Sequence, residues 1–316
     1  MKLEKIWPIY KYVGPYGLLG AIRYGVQSAW ARQRGQQYIR KKVYDFEMFL
    51  DVQDKGISRT LLLFGKRELE HRYILQLVLK PGMTVLDIGA NIGYYVLIES
   101  GLIGDGKIIA IEPVPSNVEL LKRNLKLNGV NKVTVIHGAV SNKRGVQNFH
   151  LSHKSNLGTF HVSDSKGRDL SGQVIPVDTW SVGGIAAEHG PPDLIRMDVE
   201  GHEVAILDSL LDDIRAGTMS PLILFETHRG AYSAQNDMAS TMILLFEAGY
   251  HVRYLGSSNE AGAQLIKERG YQESTSIATD FMERSIFENI TAQDAIDFIC
   301  RTGGVRTVLL AKYNSD

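Results

Sequence analysis

Two short stretches of this 316-residue chain combine carboxylates and imidazoles just after apolar runs. Asp198-Val-Glu200-Gly-His202 follows Leu-Ile-Arg-Met, and Glu226-Thr-His228 follows Leu-Ile-Leu-Phe. A positioned base of this kind can take the proton of a weakly nucleophilic hydroxyl. His228 is the leading base candidate, because an unperturbed imidazole titrates near working pH. Asp198 would orient it or hold the acceptor hydroxyl. A plainer reading makes Glu200 a helix cap and leaves His202 exposed on the first helical turn. Asp198, Glu200 and Glu226 also offer hard oxygen ligands suited to magnesium or calcium. No ligand spacing demands an ion, so the metal-free base is preferred, and without cysteine pairs a zinc site is not expected.

A second group of residues reads as a cofactor loop. Asp87-Ile-Gly89-Ala-Asn91-Ile-Gly93 follows an apolar strand. Glycines there let the chain turn sharply and approach a ligand. The loop fails the dinucleotide pattern G-x-G-x-x-G, since Asn91 stands where a second glycine is expected. A carboxylate at Asp87 would repel a pyrophosphate but attract the ammonium or sulfonium of S-adenosylmethionine (SAM). Glu112 lies 19 residues beyond Gly93. A carboxylate at that strand end can accept both ribose hydroxyls, a feature SAM and NAD share. His137-Gly138-Ala139 ends the next strand, where Gly138 and Ala139 either lie against the adenine or form a packed turn.

The elements that must position these residues alternate regularly after Pro81. Strands are expected at Met83–Ile88, Lys107–Ile111, Val133–Ile136, Leu194–Met197, Leu222–Phe225, Tyr250–Leu255 and Val305–Lys312. Helices are expected at Ile92–Gly101, Ser116–Leu127, Glu203–Ile214, Asn236–Ala248 and Ala292–Cys300. Gly145–Ile175 reads as a hairpin with its tip at Asn156-Leu-Gly158, and residues 256–285 as a long polar loop. Apolar strands alternating with helices imply an α/β, doubly wound parallel sheet covered on both faces. Its ligands bind beyond the carboxyl ends of the strands, where the residues above stand.

Before Pro81 the pattern differs. Residues 16–40 read as a helix, Val43–Val52 and Ile57–Phe64 as strands, and Arg67–Leu79 as a helix. Two domains follow: 1–80, a basic helical arm with a β/helix extension, and 81–316, the catalytic domain. The net charge is zero, yet the first 42 residues hold nine Lys/Arg against the single acid Glu4. That arm suits an anionic membrane or a lipid-linked glycan. The alternative, preferred here, docks Leu19, Ile22 and Val26 on the catalytic domain. No nucleic-acid partner is expected. The lone Cys300 excludes an internal disulfide, and the chain carries no long apolar run. A cytoplasmic protein, peripheral at the membrane if the arm binds there, is expected.

The chain resembles the FkbM-type SAM-dependent methyltransferases. The resemblance rests on Val85-Leu-Asp-Ile-Gly-Ala-Asn-Ile-Gly-Tyr94, Ala110-Ile-Glu-Pro113, Leu121-Lys-Arg-Asn-Leu-Lys-Leu-Asn128, Asp193-Leu-Ile-Arg-Met-Asp-Val-Glu-Gly-His-Glu203 and Phe225-Glu-Thr-His228. Arg196 departs from the lysine usual there, and His202 from a small residue. The resemblance implies a Rossmann-like seven-stranded sheet of order 3-2-1-4-5-7-6 with the last strand antiparallel. It also implies O-methylation of a hydroxyl on a sugar, in a polysaccharide, glycolipid or secondary metabolite. An N- or carboxyl-methyltransferase on the same fold is the alternative, and an NAD-dependent oxidoreductase a remote one.

Overall fold

The computed structural model describes residues 6–155, 157–161 and 170–313. Asn156 and the charged residues Lys2, Glu4 and Lys5 lie outside them. Helix α1 (Ile6–Gln33) breaks at Gly14, where φ is +68°, just before Pro15. It therefore ends sooner than the expected residue 40, because Tyr38–Val43 forms strand β1. β1 pairs antiparallel with β2 (Phe46–Asp51), turning at Tyr44, whose φ is +55°. A two-stranded hairpin thus replaces the single expected strand.

Helix α2 (Ile57–Phe64) replaces the second expected strand. A short, largely apolar run such as Ile57–Phe64, broken only by Ser58, Arg59 and Thr60, is ambiguous by pattern alone. The ends decide it: the Asp54 carboxylate accepts from the Gly56 and Ser58 amides, and Gly65 closes the helix in the left-handed region. Helix α3 (Leu69–Val78) leads to the alternating part of the chain. There β3 (Thr84–Ile88), α4 (Tyr94–Ile103), β4 (Lys107–Glu112), α5 (Pro115–Leu127) and β5 (Val133–His137) follow in order. A side sheet of β6 (Ala139–Val140), β7 (Gly145–Ser152) and β8 (Leu170–Trp180) interrupts the alternation, with β8 central. Helix α6 (Val182–His189), β9 (Leu194–Met197), α7 (Glu203–Arg215), β10 (Leu222–Glu226), α8 (Met238–Glu247) and β11 (Tyr250–Ser257) resume it.

The stretch expected as a polar loop is structured. It holds α9 (Glu260–Glu268), β12 (Glu273–Thr279) and β13 (Met282–Phe287). Asn259 caps α9 through the Gly262 amide. β12 reads as polar because it is an edge strand with mostly exposed side chains. After α10 (Ala292–Ile296) and a π-helical turn over Asp297–Thr302, β14 (Val305–Lys312) ends the fold.

The main sheet runs β12-β13-β11-β14-β10-β9-β3-β4-β5, nine strands rather than seven. Strands β5, β4, β3, β9 and β10 are parallel neighbours, and β14 lies antiparallel between β10 and β11. Alternate residues feed two cores. Ile223 and Phe225 face one side, while Leu222 and Leu224 face the other. The amino-terminal extension supplies much of that second core, through Met48, Leu50, Leu61, Ile74 and Leu75. Asn124 of α5 and Asn128 just past its end accept from the Phe49 and Glu47 amides and fasten the hairpin to that helix.

Helix α1 corrects the preferred reading of the arm. Its docked face is made of Gly25, Ser28 and Ala31, with Arg32 donating to the Val52 carbonyl at 3.2 Å. Leu19, Ile22 and Val26 point outward, 55–65% exposed, together with Trp30. Among the described residues no helix is long and apolar enough to cross a membrane.

Candidate functional site

A cleft opens beyond the carboxyl ends of β3, β4 and β9. That is the crevice where open α/β sheets bind ligands. The loop after β3 forms its floor. The Gly89 and Ala90 amides both donate to the Ile111 carbonyl, at 2.9 and 3.0 Å. Gly89 has φ +80°, and a Cβ there would lie 2.3 Å from the Asp198 carbonyl oxygen. Two separate constraints therefore require glycine. Asn91 has φ +50°, a region asparagine enters with little penalty, which is why it replaces a second glycine. Gly93 completes the turn and starts α4.

Glu112 lies on the cleft wall, 4% exposed. It accepts from the Asn91 amide at 2.9 Å, the Val114 amide at 3.0 Å and Asn117 Nδ2 at 3.0 Å. Burial outweighs these bonds and pushes its carboxyl up to about 7. The Asn117 and Asn91 side-chain amides also donate to the Ser155 carbonyl, so the segment after β7 closes over this end. Gly138 and Ala139 line the cleft too. A Cβ on Gly138 would fall 2.0 Å from the Trp180 ring, so packing alone accounts for that glycine.

Asp87 is placed differently from the sequence reading. It is fully buried and does not line the cleft. Its Oδ1 meets Arg196 Nη1 at 2.9 Å, and a guanidinium beside it offsets the charge that was expected to attract a sulfonium. Arg196, one strand over on β9, lines the cleft instead. Its guanidinium stacks 4.0 Å over the Tyr95 ring and reaches Asp198 at 3.6 Å.

The acidic cluster assembles at the ends of β9 and β10. Asp198, Glu200 and His228 place one ligand atom each within 4.8 Å of one another. His228 Nε2 stands 3.7 Å from both Asp198 Oδ1 and Glu200 Oε2. Its Nδ1 is held at 2.7 Å by Glu203 Oε1, which the Gly201 amide also bonds. Burial disfavours the imidazolium, but the Glu203 carboxylate, aided by Glu200 and Glu226, outweighs it and raises His228 to about 10. The unperturbed imidazole of the sequence reading does not survive these surroundings.

Two other expected members turn away from this cluster. The Glu226 carboxylate forms a two-point pair with Arg306, both contacts at 2.8 Å. His202 is buried rather than exposed; its Nε2 meets Ser141 Oγ at 3.0 Å and its Nδ1 meets His161 Nε2 at 3.2 Å. Burial, with the His161 ring beside it, lowers it to about 4. Glu200 takes a left-handed backbone, φ +54°, and does not cap α7; His202 occupies the cap position and its side chain caps nothing. Sequence reasoning missed Glu203, Asn117 and Ser155. Only Glu203 carried a signal, as the third carboxylate of Asp198-Val-Glu-Gly-His-Glu203.

The Methyltransferase FkbM domain profile matches residues 87–252, which spans the glycine loop, Glu112 and the whole acidic cluster. The chain belongs to the FkbM methyltransferase family. The protein-L-isoaspartate O-methyltransferase of Methanococcoides burtonii is 39% identical over 62 residues, 19% of this chain and 30% of that protein. The corresponding Pyrococcus horikoshii protein is 42% identical over 60 residues, 19% and 27% of the two chains. The match thus spans under a third of either relative's length. Among solved structures, methyltransferase FkbM from Methylobacillus flagellatus KT shares 16% identity and a TM-score of 0.38, covering 73% of this chain and 52% of that one.

Proposed function

We propose that the protein transfers a methyl group from SAM to a hydroxyl, with a sugar-bearing acceptor. One observation carries the reading: a glycine-floored cleft with Glu112 on its wall also has Asp198 and Glu200 on its wall, and these two face His228. SAM supplies an activated methyl with its own leaving group, so the protein's task is alignment and management of one proton. Glu112 and the Gly89–Asn91 backbone would hold the nucleoside end. Asp198 and Glu200 favour a neutral hydroxyl over a carboxylate acceptor, which two carboxylates would repel. The sugar is the acceptor class that the family resemblance suggests.

The same cluster supports a second form of the mechanism. Nε2 of His228 and two carboxylate oxygens converge at separations too long for hydrogen bonds. Glu203 fixes the imidazole through its other nitrogen, the arrangement that orients metal-bound histidines. A hard divalent cation such as magnesium fits that donor set. It would lower the pKa of a bound hydroxyl.

Glu112→Ala is expected to weaken SAM binding by about 1.5–3 kcal/mol, since it removes hydrogen bonds to a charged acceptor. Calorimetry measures this. Unchanged affinity removes Glu112 from the cofactor site, and binding of NADH in place of SAM removes the transferase reading altogether.

We also propose that α1 rests on an anionic bilayer. Leu19, Ile22, Val26 and Trp30 recur at helical spacing on its outward face, while the opposite face is packed on the protein. The same helix carries Lys11, Arg23 and Arg32 and no acid, and each cation near an anionic surface adds about 1 kcal/mol. Sedimentation with phosphatidylserine vesicles should capture the protein at low salt, and phosphatidylcholine vesicles should not. Leu19→Glu with Val26→Glu should abolish capture. Equal behaviour with both lipids would sink the proposal.

A further inference from the structure

A second cleft adjoins the first and shares Arg67 and Glu68 with it. Its walls come from three parts of the chain: Lys55 to Glu68 around α2, Lys154 after β7, and the β12–β13 turn with Arg284 and Arg306. Six cationic side chains line it against two acids, Glu68 and Asp280.

The six cations are not equivalent. Arg67 pairs with Glu68, Arg284 with Glu70 and Asp280, and Arg306 with Glu68 and Glu226. The arginines are therefore spent on the protein's own carboxylates. Lys55, Lys66 and Lys154 have no ion-pair partner among the described residues, and they come from separate segments that converge on one space. Lysine acts as a compact point charge that suits phosphate.

The turn opposite them is built at a cost. Asp280 and Phe281 have φ of +49° and +66°, positions where a two-residue hairpin normally carries Asn-Gly. A bulky residue there is strained and marks a functional candidate. The Asp280 carboxylate pins the turn by accepting from the Glu68 amide and pairing with Arg284 at 3.2 Å. Phe281 then packs edge-on against Phe64 of α2, ring centroids 4.6 Å apart. The cleft consequently has an aromatic wall and a lysine rim.

We propose that this cleft binds the acceptor through a phosphate group that it carries, with the methylated hydroxyl directed toward Asp198 and Glu200. The proposal rests on the methyltransferase reading and adds the acceptor's class to it: a phosphorylated sugar, free or diphosphate-linked. Charge divides along the acceptor, with a neutral hydroxyl at the acidic cluster and an anion at the lysines. The aromatic wall suits the apolar face of a sugar ring between them.

Inorganic pyrophosphate is the probe, titrated into the full chain by calorimetry at low salt. Binding is expected, weakening as salt rises. Lys55→Ala with Lys66→Ala should reduce affinity at least tenfold, and Lys154→Ala should reduce it further. Lys122→Ala, on the far-lying α5 surface, should leave it unchanged. SAM titrated into the same variants should bind as in the parent. No pyrophosphate binding, or equal binding by parent and lysine variants, overturns the proposal while leaving the SAM reading intact. Failure of SAM to bind, with pyrophosphate binding retained and lysine-dependent, overturns the methyltransferase reading and leaves an anion cleft. With glucose 1-phosphate against glucose, only the phosphorylated sugar should bind.

Discussion

Replacing His228 by alanine is expected to lower methyl transfer by about 10²–10⁴-fold, the usual contribution of a positioned acid–base group, with SAM affinity unchanged. The imidazole touches nothing in the cofactor half of the cleft. Its contacts are Glu203 on one nitrogen, and Asp198 and Glu200 around the other. Asp198→Ala should be comparably damaging, because it removes the oxygen between the imidazole and the cleft. Glu203→Gln should be milder: the glutamine oxygen can still accept from Nδ1, but the charge that favours the imidazolium is lost. The two forms of the mechanism part on the addition of chelator. With a cation in the cluster, chelator abolishes turnover and magnesium restores it. Without one, chelator does nothing, and the rate rises with pH toward about 10, where His228 loses its proton. A His228→Ala enzyme with near-parental turnover, insensitive to chelator, removes both forms. The acceptor would then need no base, as an amine or carboxylate does not.

Much of the fold was legible because its signals are local. Apolar strands such as Leu222–Phe225 and the glycine loop declare themselves within a few residues. The failures lie where apolar periodicity alone does not choose between alternatives. Ile57–Phe64 is helical because Asp54 and Gly65 cap it, not because its pattern differs from a strand's. β12 escaped detection because an edge strand needs no apolar face of its own. Leu19, Ile22 and Val26 have the spacing of a docked face, and only the packing of Gly25, Ser28 and Ala31 shows that the opposite face is the docked one. In the site, Asp198, Glu200 and His228 could be placed together from strand order. The choice of partner by Glu226, which takes Arg306 from β14, could not.

Asp87 gives the second large expected effect, and it separates two roles that the sequence cannot distinguish. If its carboxylate serves the cofactor, Asp87→Ala costs affinity and leaves stability alone. Its surroundings argue otherwise. Asp87 and Arg196 are 0% and 2% exposed, and Asp87 Oδ1 is the 2.9 Å partner of Arg196 Nη1. Arg196 has otherwise the Tyr95 ring, the Gly89 carbonyl at 3.4 Å and a distant Asp198. Removing one partner of a buried pair strands the other charge, at a cost of about 3–5 kcal/mol. Asp87→Ala should therefore lower the urea midpoint strongly at neutral pH, and Arg196→Ala should do the same. Joint replacement, Asp87→Leu with Arg196→Met, should cost much less than the two single changes added together, since an apolar pair of similar volume leaves no buried charge. Arg196→Lys should retain stability better than Arg196→Ala, but a single ammonium cannot serve Asp87 and the Gly89 carbonyl while also stacking on Tyr95. Near-parental stability of Asp87→Ala, coupled with a tenfold or greater loss of SAM affinity, would return Asp87 to the cofactor site. Strictly additive single and double changes would show that the pair contributes as two separate groups.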